Sequence, residues 1–575
     1  MNQAENLVME MCHGLVLAHP ELQFNEKFKV ISRRHQKKSM VSLISGGGSG
    51  HEPAHAGFVG AGMLDAAVCG DVFASPSQIQ VYQAIKDVAT EHGVLMIIKN
   101  YSGDMMNFKN GAALAAEDGI LVDYVKVDDD IAVEDSLYTV GRRGVAGTVF
   151  VHKIAGAAAE LGFDLATVKK IAEKAAAHVR SIGFAFTSCT VPAKGTPTFK
   201  LGEDEMEYGV GIHGEPGIRR EKMMDANTLA ERMVKDLLKD LGNVSEAAIL
   251  VNGFGATPLQ ELYVFNNSVI LALTKHGVNV HRTFVGNYMT SIDMAGASLS
   301  ILKLDDELKQ YVNAPAHTPA FKVDGEVAPI QLFESNKATI QAEPSFKVET
   351  KKDFSKIANE QFTLANMHYY IDKMSEVIIE NEVPFCELDS HAGDGDFGMS
   401  VAKGFKQLKR EWPELTRQTS ISAFLSLCSM IIMEHCGGAS GPIWGSAFRA
   451  AGKSVEGKEF LTVTDFATML QAAVKGIQTT GERSFGRGAV VGDKTLIDAF
   501  VPCANIWTEA AANEAAFADI FKQGALAAVE GAEATKQIVA RMGRAGTVGD
   551  RSLGYPDAGA YGLGVIFTAL AEDAQ

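Results

Sequence analysis

Three carboxylates lie close together on a glycine-rich stretch in the second half of the chain. The sequence LDSHAGDGDFG, residues 388–398, carries Asp389, Asp394 and Asp396. Glycine permits a tight backbone path, so the three carboxylates can converge on a hard cation such as Mg²⁺ bound to nucleotide phosphates. An EF-hand does not fit, because Ser400 stands where the last acidic ligand of that loop would be. The alternative interpretation is a solvated acidic turn.

Two further glycine-rich segments could lay backbone N–H groups along phosphates. They are HCGGASGPIWG at residues 435–445 and GRGAVVGDKTLID at residues 486–498, and the second directly precedes a helical pattern. A helix N-terminus favours anions because its first N–H groups are unpaired. Asp493 interrupts the Gly-Lys pair of a Walker A loop, and no GxGxxG lies between a strand and a helix. A nucleotide would therefore bind among helices.

Two polar segments follow strand-like runs in the first half of the chain. SGGGSGHEPAHAG, residues 45–57, is predicted to be a loop that combines closely spaced glycines with His51 and His55, and this density favours a binding function over a simple turn. The segment KNYSGDMMNF supplies Lys99 and Asp104. A positioned aspartate can accept the proton of an alcohol, although a single aspartate is more often a turn or capping residue.

His213 stands between glycines in the sequence YGVGIHGEPGIRR. This stretch is too rich in glycine for a helix or a core strand, and the neighbouring glycines leave the imidazole ring accessible. A neutral imidazole nitrogen is available as a nucleophile at pH 7, because the unperturbed pKa of histidine is near 6.5. A structural or exposed histidine is the alternative interpretation.

Short strands and helices must position these residues in the first half. Strand-like runs alternate with segments whose apolar spacing suits helices, such as residues 77–92 and 153–161, and the alternation predicts an α/β architecture. Ligands in open α/β sheets bind at the carboxyl ends of strands, so the segments that begin at Ser45 and Lys99 should share one crevice. The predicted strands are residues 40–44, 94–98, 121–127, 148–151 and 248–251.

The character of the sequence changes at residues 334–353. This segment is polar, contains a proline and has little periodicity, so it is predicted to be an interdomain linker. Helix-favouring patterns predominate beyond it. We therefore predict an α/β domain of two subdomains at residues 1–333 and an all-α domain at residues 354–575. Predicted helical stretches of the second domain are residues 354–380, 464–479 and 514–542.

Composition and charge limit the function classes. The chain of 575 residues is too long for one core, and its 46% hydrophobic and 21% charged residues are typical of a globular protein. The net charge of −17 argues against nucleic acid or a membrane surface as a partner. No apolar run reaches the roughly 18 residues that cross a bilayer. Seven scattered cysteines without a CxxC pair, and a first segment without a secretory pattern, predict a cytoplasmic protein.

These motifs together resemble the dihydroxyacetone kinase family, in its single-chain, ATP-dependent form. The first domain resembles the ketone-binding part through GGGSGHEPAHAGF, KNYSGD, GRRGVAGTV, SCTVP and YGVGIHGEPG. The second resembles the nucleotide-binding part through LDSHAGDGD, GGASGPIWG, GDKTLID and YPDAGA. The resemblance covers nearly the whole chain apart from the linker. It implies an α/β ketone domain, a barrel of antiparallel helices, and a homodimer in which the ATP domain of one chain serves the partner's ketone domain.

The resemblance also implies roles for individual residues. His213 corresponds to the histidine that adds to the substrate carbonyl as a hemiaminal, His51 to a residue that hydrogen-bonds the substrate, and Asp104 to the base at the hydroxyl that is phosphorylated. Gly48 and Lys99 correspond to substrate contacts. Two Mg²⁺ ions are implied at Asp389, Asp394 and Asp396. The nucleotide is implied to lie against Gly438, Ala439, Ser440, Thr495, Leu496, Asp557 and Gly559.

A carbonyl-specific anchor predicts that dihydroxyacetone and glyceraldehyde are substrates and that glycerol is not. A kinase for a four-carbon ketose such as erythrulose stays open, because the same covalent chemistry accepts it. A lyase that cleaves FAD to cyclic FMN in the ATP site is a further alternative. A non-catalytic regulator is disfavoured by the three aspartates, and a kinase recharged by a phosphoprotein is disfavoured by the fusion of both parts in one chain.

Overall fold

The computed structural model describes residues 2–133, 141–215, 217–333, 348, 350–513, 515–542, 546 and 549–574. The chain forms two compact units, Met1–Ile340 and Gln341–Gln575. Most of the predicted linker, residues 334–347 and 349, lies outside the described residues. Within the described ranges, no helix is long and apolar enough to span a membrane.

The first unit contains a six-stranded mixed sheet. Its strands are β1 Leu22–Asn25, β2 Val30–Arg33, β3 Ser42–Ser49, β4 Ala66–Val72, β5 Val94–Lys99 and β6 Val122–Val127. Their order is β1-β2-β4-β3-β5-β6. Strands β3 to β6 pair in parallel, whereas β1 and β2 form an antiparallel edge. The sequence VLMIIK of β5 is buried along its whole length, as expected of a parallel strand covered on both faces.

A second six-stranded sheet completes the two predicted subdomains. Its strands are β7 Val179–Ala185, β8 Glu205–Tyr208, β9 Arg219–Lys222, β10 Glu246–Gly253, β11 Asn279–Gly286 and β12 Gly296–Lys303. Their order is β11-β10-β12-β7-β8-β9, and only β10 and β11 pair in parallel. A short ribbon follows, formed by β13 Ala316–His317 and β14 Lys322–Val323.

Helices pack against both sheets of the first unit. They are α1 Leu7–Ala18, α2 Gln78–Val88, α3 Ser102–Glu117, α4 Thr148–Glu160, α5 Leu165–His178, α6 Ala226–Leu241, α7 Leu259–Lys275 and α8 Asp306–Asn313. Helix α2 starts where the sequence has a capping box, in which Ser77 and Gln80 bind each other's backbone N–H groups. The predicted α/β fold class is confirmed.

Two local predictions for the first unit were wrong. Residues 148–151 begin helix α4 instead of forming a strand, because this helix is buried on all sides and has no polar face to reveal its period. The glycines after Ile44 continue β3 instead of forming a loop. A Cβ built at Gly46 would lie 2.4 Å from the carbonyl oxygen of Val68, so glycine is needed for the close approach of β3 to β4.

The second unit is almost entirely helical, as predicted. Its helices are α9 Leu364–Glu380, α10 Glu382–Asp389, α11 Phe397–Arg410, α12 Trp412–Leu415, α13 Ile421–His435, α14 Ser440–Ser454, α15 Val463–Phe485, α16 Ile497–Ala511, α17 Phe517–Ala534 and α18 Ala558–Asp573, with short strands β15 Phe362–Thr363 and β16 Phe460–Leu461. Helix α9 packs against α11, which packs against α13, and from α13 to α18 each helix packs against the following one. Helix α18 packs in turn against α9. The ring closes, which confirms the helical barrel.

Two helices of the barrel are shorter than the sequence pattern suggested. Helix α9 begins at Leu364 and not near residue 354, because Thr363 and Asn366 form a capping box there. Helix α17 ends at Ala534 although the helix-favouring pattern runs to residue 542. The chain then continues as a 3₁₀ turn, Thr535–Gln537, in which the carbonyl of Thr535 accepts both the backbone N–H of Ile538 and the Lys494 ammonium.

Candidate active site

The first cluster of sequence-predicted residues lies at the carboxyl ends of two neighbouring strands. His51 follows β3 by two residues, Lys99 is the last residue of β5, and Asp104 lies in the first turn of α3. Because β3 and β5 are parallel neighbours, their carboxyl ends meet at one edge of the sheet. The two polar segments therefore share one crevice.

His213 contacts His51 directly. It lies in the irregular segment between β8 and β9, and its Nε2 atom is 3.1 Å from Nε2 of His51. The Nδ1 atom of His51 is 2.8 Å from the carbonyl oxygen of Thr290. A carbonyl only accepts, so neutral His51 carries its proton on Nδ1, and its Nε2 accepts the Nε2 proton of His213. Nδ1 of His213 is buried without a hydrogen-bond partner in the described part of the chain.

Aromatic rings enclose this histidine pair. Tyr101 and Phe73 lie edge-on to the His213 ring, with centroid distances of 4.5 and 5.2 Å. Phe73 also stacks on His51 at 5.1 Å. The hydroxyl of Tyr101 is buried and has no hydrogen-bond partner among the described residues. The walls are thus apolar, and the polar atoms that point between them are suited to a small polar ligand.

Lys99 and Asp104 lie beside the backbone of β3. A Cβ built at Gly47 would be 3.4 Å from Nζ of Lys99 and 3.5 Å from Oδ2 of Asp104. The Ser75 hydroxyl donates a 2.5 Å hydrogen bond to Oδ1 of Asp104. The Lys99 ammonium is fully buried and has no hydrogen-bond partner in the described ranges. A buried ammonium in this state is a strong candidate for a contact with a ligand oxygen.

Gly48 lies one position further along β3 and is fixed by packing. A Cβ there would lie 2.7 Å from the backbone nitrogen of Ala74 and 2.8 Å from the carbonyl carbon of Phe73. No larger residue fits at this position. Gly48 thus sits against the backbone of the aromatic wall, whereas Gly47 is the glycine that lies next to Lys99 and Asp104.

Burial sets the protonation states in the crevice. Burial and the positive charges of Lys99 and Arg143 hold the pKa of His213 well below its usual 6.5. Burial, Lys99 and His213 lower the pKa of His51 in the same way. Burial also lowers the pKa of Lys99 and raises the pKa of Asp104, against their mutual attraction. Both histidines are neutral at pH 7, which a nucleophilic nitrogen requires.

Asp389, Asp394 and Asp396 converge in the second unit. They lie between the end of α10 and the start of α11, and one carboxylate oxygen from each lies within 4.8 Å of the others. Oδ2 of Asp389 accepts the backbone N–H of Asp396 at 3.1 Å. A Cβ built at Gly393 would lie 2.2 Å from Oδ1 of Asp389, so the loop can close only with glycine there. Three oxygen donors at this spacing fit a hard divalent cation.

A pocket of about 200 Å³ adjoins the three aspartates. The starts of α14, α16 and α18 all border it, and helix N-termini favour phosphate. Gly438 directly precedes the lining residue Ala439 and has a φ of 56° at the bend before α14. Asp389 and most of the predicted nucleotide contacts line this pocket, namely Ala439, Ser440, Thr495, Leu496, Asp557 and Gly559.

Lys494 forms part of the pocket wall and is held by backbone oxygen atoms. Its Nζ donates to the carbonyls of Thr535 at 2.9 Å and Tyr555 at 2.8 Å, and also to the carbonyl of Ser552. All three ammonium protons are therefore used within the protein. This lysine ties together the segments around the pocket and does not reach for phosphate as the lysine of a Walker A loop does.

Asp557 caps helix α18 at the pocket. Its carboxylate accepts the backbone N–H of Ala560 at 2.8 Å. Burial, and then the negative charges of Asp498 and Asp389, raise the pKa of Asp557 to about 7. Asp389, Asp498 and Asp557 lie close enough together to place several carboxyl groups on this side of the pocket, where a bound cation would offset their negative charge.

Sequence reasoning did not assign Thr290, Phe73, Tyr101 or Arg143 to the crevice. Tyr101 and Arg143 lie inside the motifs KNYSGD and GRRGVAGTV, so the motifs contained a usable signal. Thr290 binds His51 from a position 239 residues away, and no local pattern marks it.

Comparison with known proteins gives two domain matches and several full-length relatives. The Dak1 domain matches residues 13–320 and the DAK2 domain matches residues 391–572. The chain is 53% identical, over 310 residues, to the dihydroxyacetone-binding subunit DhaK of PTS-dependent dihydroxyacetone kinase 1 from Listeria innocua, covering 53% of this chain and 94% of that one. It is 33% identical over 589 residues to triokinase/FMN cyclase of Rattus norvegicus, covering 100% and 98% of the two chains.

Two further comparisons cover the whole length. L-erythrulose kinase of Pectobacterium atrosepticum is 33% identical over 577 residues, which are 99% of this chain and 95% of that protein. The crystal structure of the dihydroxyacetone kinase of C. freundii matches with a TM-score of 0.59 and 30% identity over 100% of this chain and 99% of that one. The two domain matches and the full-length relatives thus define a two-domain kinase. The chain belongs to the dihydroxyacetone kinase family, in the form that joins the Dak1 and DAK2 domains.

Proposed function

We propose that this kinase phosphorylates dihydroxyacetone with ATP and holds the ketone covalently on His213. The observation that carries the proposal is the 3.1 Å contact between the Nε2 atoms of His213 and His51. The buried Lys99 ammonium beside it, which lacks a hydrogen-bond partner among the described residues, supports the same reading. The printed names of the Listeria and C. freundii relatives refer to dihydroxyacetone.

The ketone is captured by adding the N–H bond of His213 across its carbonyl group. Nε2 of His213 bonds to the carbonyl carbon, and its proton passes to Nε2 of His51. The carbonyl electron pair moves to the oxygen, which takes up a proton from His51, and a neutral hemiaminal results. A triose offers few contacts, so the covalent bond supplies an orientation that noncovalent binding does not. Glycerol has no carbonyl and is excluded.

Asp104 accepts the proton of the hydroxyl that attacks phosphorus. Ser75 holds one of its carboxylate oxygens, which leaves Oδ2 for the substrate. Burial raises the pKa of Asp104, so its carboxylate is a stronger base than an exposed aspartate. Lys99 donates to a substrate oxygen, and the backbone of β3 at Gly47 and Gly48 leaves space for the ketone.

The second unit holds the nucleotide and its metal ions. Asp389, Asp394 and Asp396 would bind two Mg²⁺ ions, and the starts of α14, α16 and α18 would bind the phosphates. Bound magnesium neutralises phosphate charge during the transfer. A structure of the C. freundii kinase in complex with AMP-PNP and Mg²⁺, which matches this chain with a TM-score of 0.58 and 30% identity, supports ATP and Mg²⁺ as the ligands.

We further propose a cytoplasmic homodimer in which the ATP-binding unit of one chain serves the ketone-binding unit of its partner. All seven cysteines are free, and two of them, Cys428 and Cys503, are buried thiols with strongly raised pKa values. Free thiols of this kind suit a reducing compartment. The dimer rests on the family resemblance.

A four-carbon ketose is the second candidate substrate. The relatives in Pectobacterium atrosepticum and Mycolicibacterium smegmatis, which are 33% and 34% identical, are L-erythrulose kinases by name. A His213 adduct forms with any accessible ketone, so substrate length is decided by the remaining crevice. Cyclic FMN formation, named for the rat relative, would use the nucleotide pocket alone.

An ADP-release assay tests the proposed function. Purified protein with Mg²⁺ and ATP is offered dihydroxyacetone, D-glyceraldehyde, both erythrulose enantiomers and glycerol. We expect turnover with dihydroxyacetone, the highest kcat/KM for it, and none above background with glycerol. A higher kcat/KM for one erythrulose enantiomer would move the assignment to the four-carbon sugar. Glycerol turnover at a comparable rate would contradict the carbonyl-specific mechanism.

A further inference from the structure

One buried arginine contacts both ends of the segment that carries His213, residues 209–215. Arg143 is 1% exposed. Its Nη2 donates to the carbonyl of Gly209 at 2.9 Å, and its Nη1 donates to Oε1 of Glu215 at 3.1 Å. Oε2 of Glu215 accepts the backbone N–H of His213 at 2.9 Å. The guanidinium, the carboxylate and the His213 backbone therefore form one continuous chain of hydrogen bonds.

Arg143 is itself fixed in place. Its Nε donates to Oδ2 of Asp130 at 2.7 Å, and the backbone N–H of Asp130 donates back to the Arg143 carbonyl at 3.1 Å. The neighbouring Asp129 accepts the backbone N–H groups of Val145 and Gly147, each at 2.8 Å. The GRRGVAGTV motif is thus anchored on both sides of Arg143, and the guanidinium is held by three acceptors.

The glycines of residues 209–215 make this support necessary. A Cβ built at Gly211 would lie 2.1 Å from Oε1 of Glu215 and 2.5 Å from Nη1 of Arg143, so the segment passes directly over the ion pair. Glycine-rich segments have many accessible conformations when nothing restrains them. The ion pair selects the conformation that brings the His213 ring to His51.

We propose that Arg143, acting through Glu215, is a positioning residue that holds His213 in the conformation that captures the ketone. The proposal rests on the proposed role of His213 as the ketone anchor. Without the contacts of Arg143 and Glu215, only a fraction of molecules holds residues 209–215 in the conformation that brings His213 to His51. The apparent affinity for the ketone is then reduced to that fraction of its original value. Saturating ketone restores the adduct, so kcat changes less than KM.

Steady-state kinetics with conservative variants tests the proposal. Arg143→Lys keeps the charge but loses the planar fork, and Glu215→Gln keeps the shape but leaves one oxygen acceptor for two donors. Arg142→Gln is the matched control, because this neighbouring arginine pairs with Asp240 at 2.9 and 2.6 Å. We expect a KM for dihydroxyacetone raised about tenfold or more, and kcat changed less than about threefold, in the first two variants only. An unchanged KM in both would overturn the proposal.

Carbon-13 NMR separates this proposal from the role of His213 itself. With [2-¹³C]dihydroxyacetone and no ATP, the wild type should convert the carbonyl resonance to that of a tetrahedral carbon, and Glu215→Gln should do so to a smaller extent at equal ketone concentration. Absence of the adduct in the wild type would refute the anchor role. Equal adduct in the wild type and in both variants would refute only the positioning role. Circular dichroism identifies a variant that does not fold, and the other variant then decides.

Discussion

The Nε2 atoms of His51 and His213 lie 3.1 Å apart, and the carbonyl of Thr290 determines which of them carries the proton. His51 donates through Nδ1 to this carbonyl, so Nε2–H of His213 donates to the unprotonated Nε2 atom of His51. An imidazole N–H nitrogen is a poor nucleophile until its proton is removed. We therefore regard the two rings as a nucleophile with its base and not as two separate substrate contacts.

Replacing His51 with asparagine should impair ketone capture. The shorter side chain cannot take the proton from His213, so we expect kcat/KM for dihydroxyacetone to fall about 100-fold or more. The ADP-release assay measures this loss, with His276→Asn as a control because His276 pairs with Glu231 on the surface. A His51→Asn enzyme within a few-fold of the wild type would show that His51 is not the base.

Two inactive variants should complement each other if the active site is shared between chains. His213→Ala lacks the anchor, and Asp394→Asn lacks a carboxylate of the predicted metal site. Co-expressed with different affinity tags and purified through both, the mixed dimer contains one intact pair of sites only when the ATP-binding unit serves the partner chain. We expect ADP release from the mixed dimer and none from either parent. An inactive mixed dimer would indicate transfer within one chain.

Lys494→Met should destabilise the second unit. The change leaves the carbonyls of Thr535, Ser552 and Tyr555 without their buried donor, and we expect a loss of about 3 kcal/mol in the free energy of unfolding. All three tryptophans lie in this unit, so tryptophan fluorescence during urea unfolding follows it selectively. The control is Lys536→Met, whose ammonium pairs with the half-exposed Glu533. Equal urea midpoints for the two variants would contradict the structural role of Lys494.

The buried pair His55 and His152 should make the first unit sensitive to acid. Their rings are joined at 2.9 Å, and burial lowers the pKa of His152 to about 3. Between that value and 6.5 only the unfolded chain binds a proton at His152, so the free energy of unfolding falls as the pH falls. His152→Gln keeps a hydrogen-bonding group and removes this proton uptake.

Calorimetry measures the expected difference. The transition of the first unit is the one that occurs without a change in tryptophan fluorescence, because all three tryptophans lie in the second unit. Between pH 6.5 and pH 5.0 the wild type should lose about 1.5 kcal/mol more than His152→Gln, because one pKa unit corresponds to about 1.4 kcal/mol. The comparison cancels the opposite contribution of buried carboxyls such as Asp129, whose pKa is raised to about 6. Identical pH slopes would mean that His152 is solvated or already charged.

Motifs and periodicity predicted the fold class, the family and the crevice at the ends of β3 and β5. These follow from local residue order, which the sequence displays. The contact between His51 and His213 joins residues 162 positions apart. The residues alone left two interpretations of His213 open, a nucleophile and a structural or exposed histidine. The family resemblance implied the role of ketone anchor for His213. Arg143 and Glu215 each lie in a motif that carries the family resemblance, but no local pattern shows that their side chains contact each other.

Errors arose where tertiary packing overrode the local pattern. Helix α4 is buried all round, so its apolar run was indistinguishable from a strand. The glycines of β3 suggested a loop, yet the contact between Gly46 and Val68 requires them within the strand. After Ala534 the chain continues as a 3₁₀ turn at Thr535–Gln537, a change that the helix-favouring residues beyond it do not signal.

NMR of labelled ketone tests most directly whether the ketone is bonded to His213. Wild type and His213→Ala are each mixed with [2-¹³C]dihydroxyacetone in the absence of ATP, and each is then assayed for ADP release. We predict a protein-bound tetrahedral carbon resonance in the wild type only, together with loss of ketone phosphorylation in His213→Ala. The same resonance in both proteins, or unimpaired phosphorylation by His213→Ala, would contradict the account.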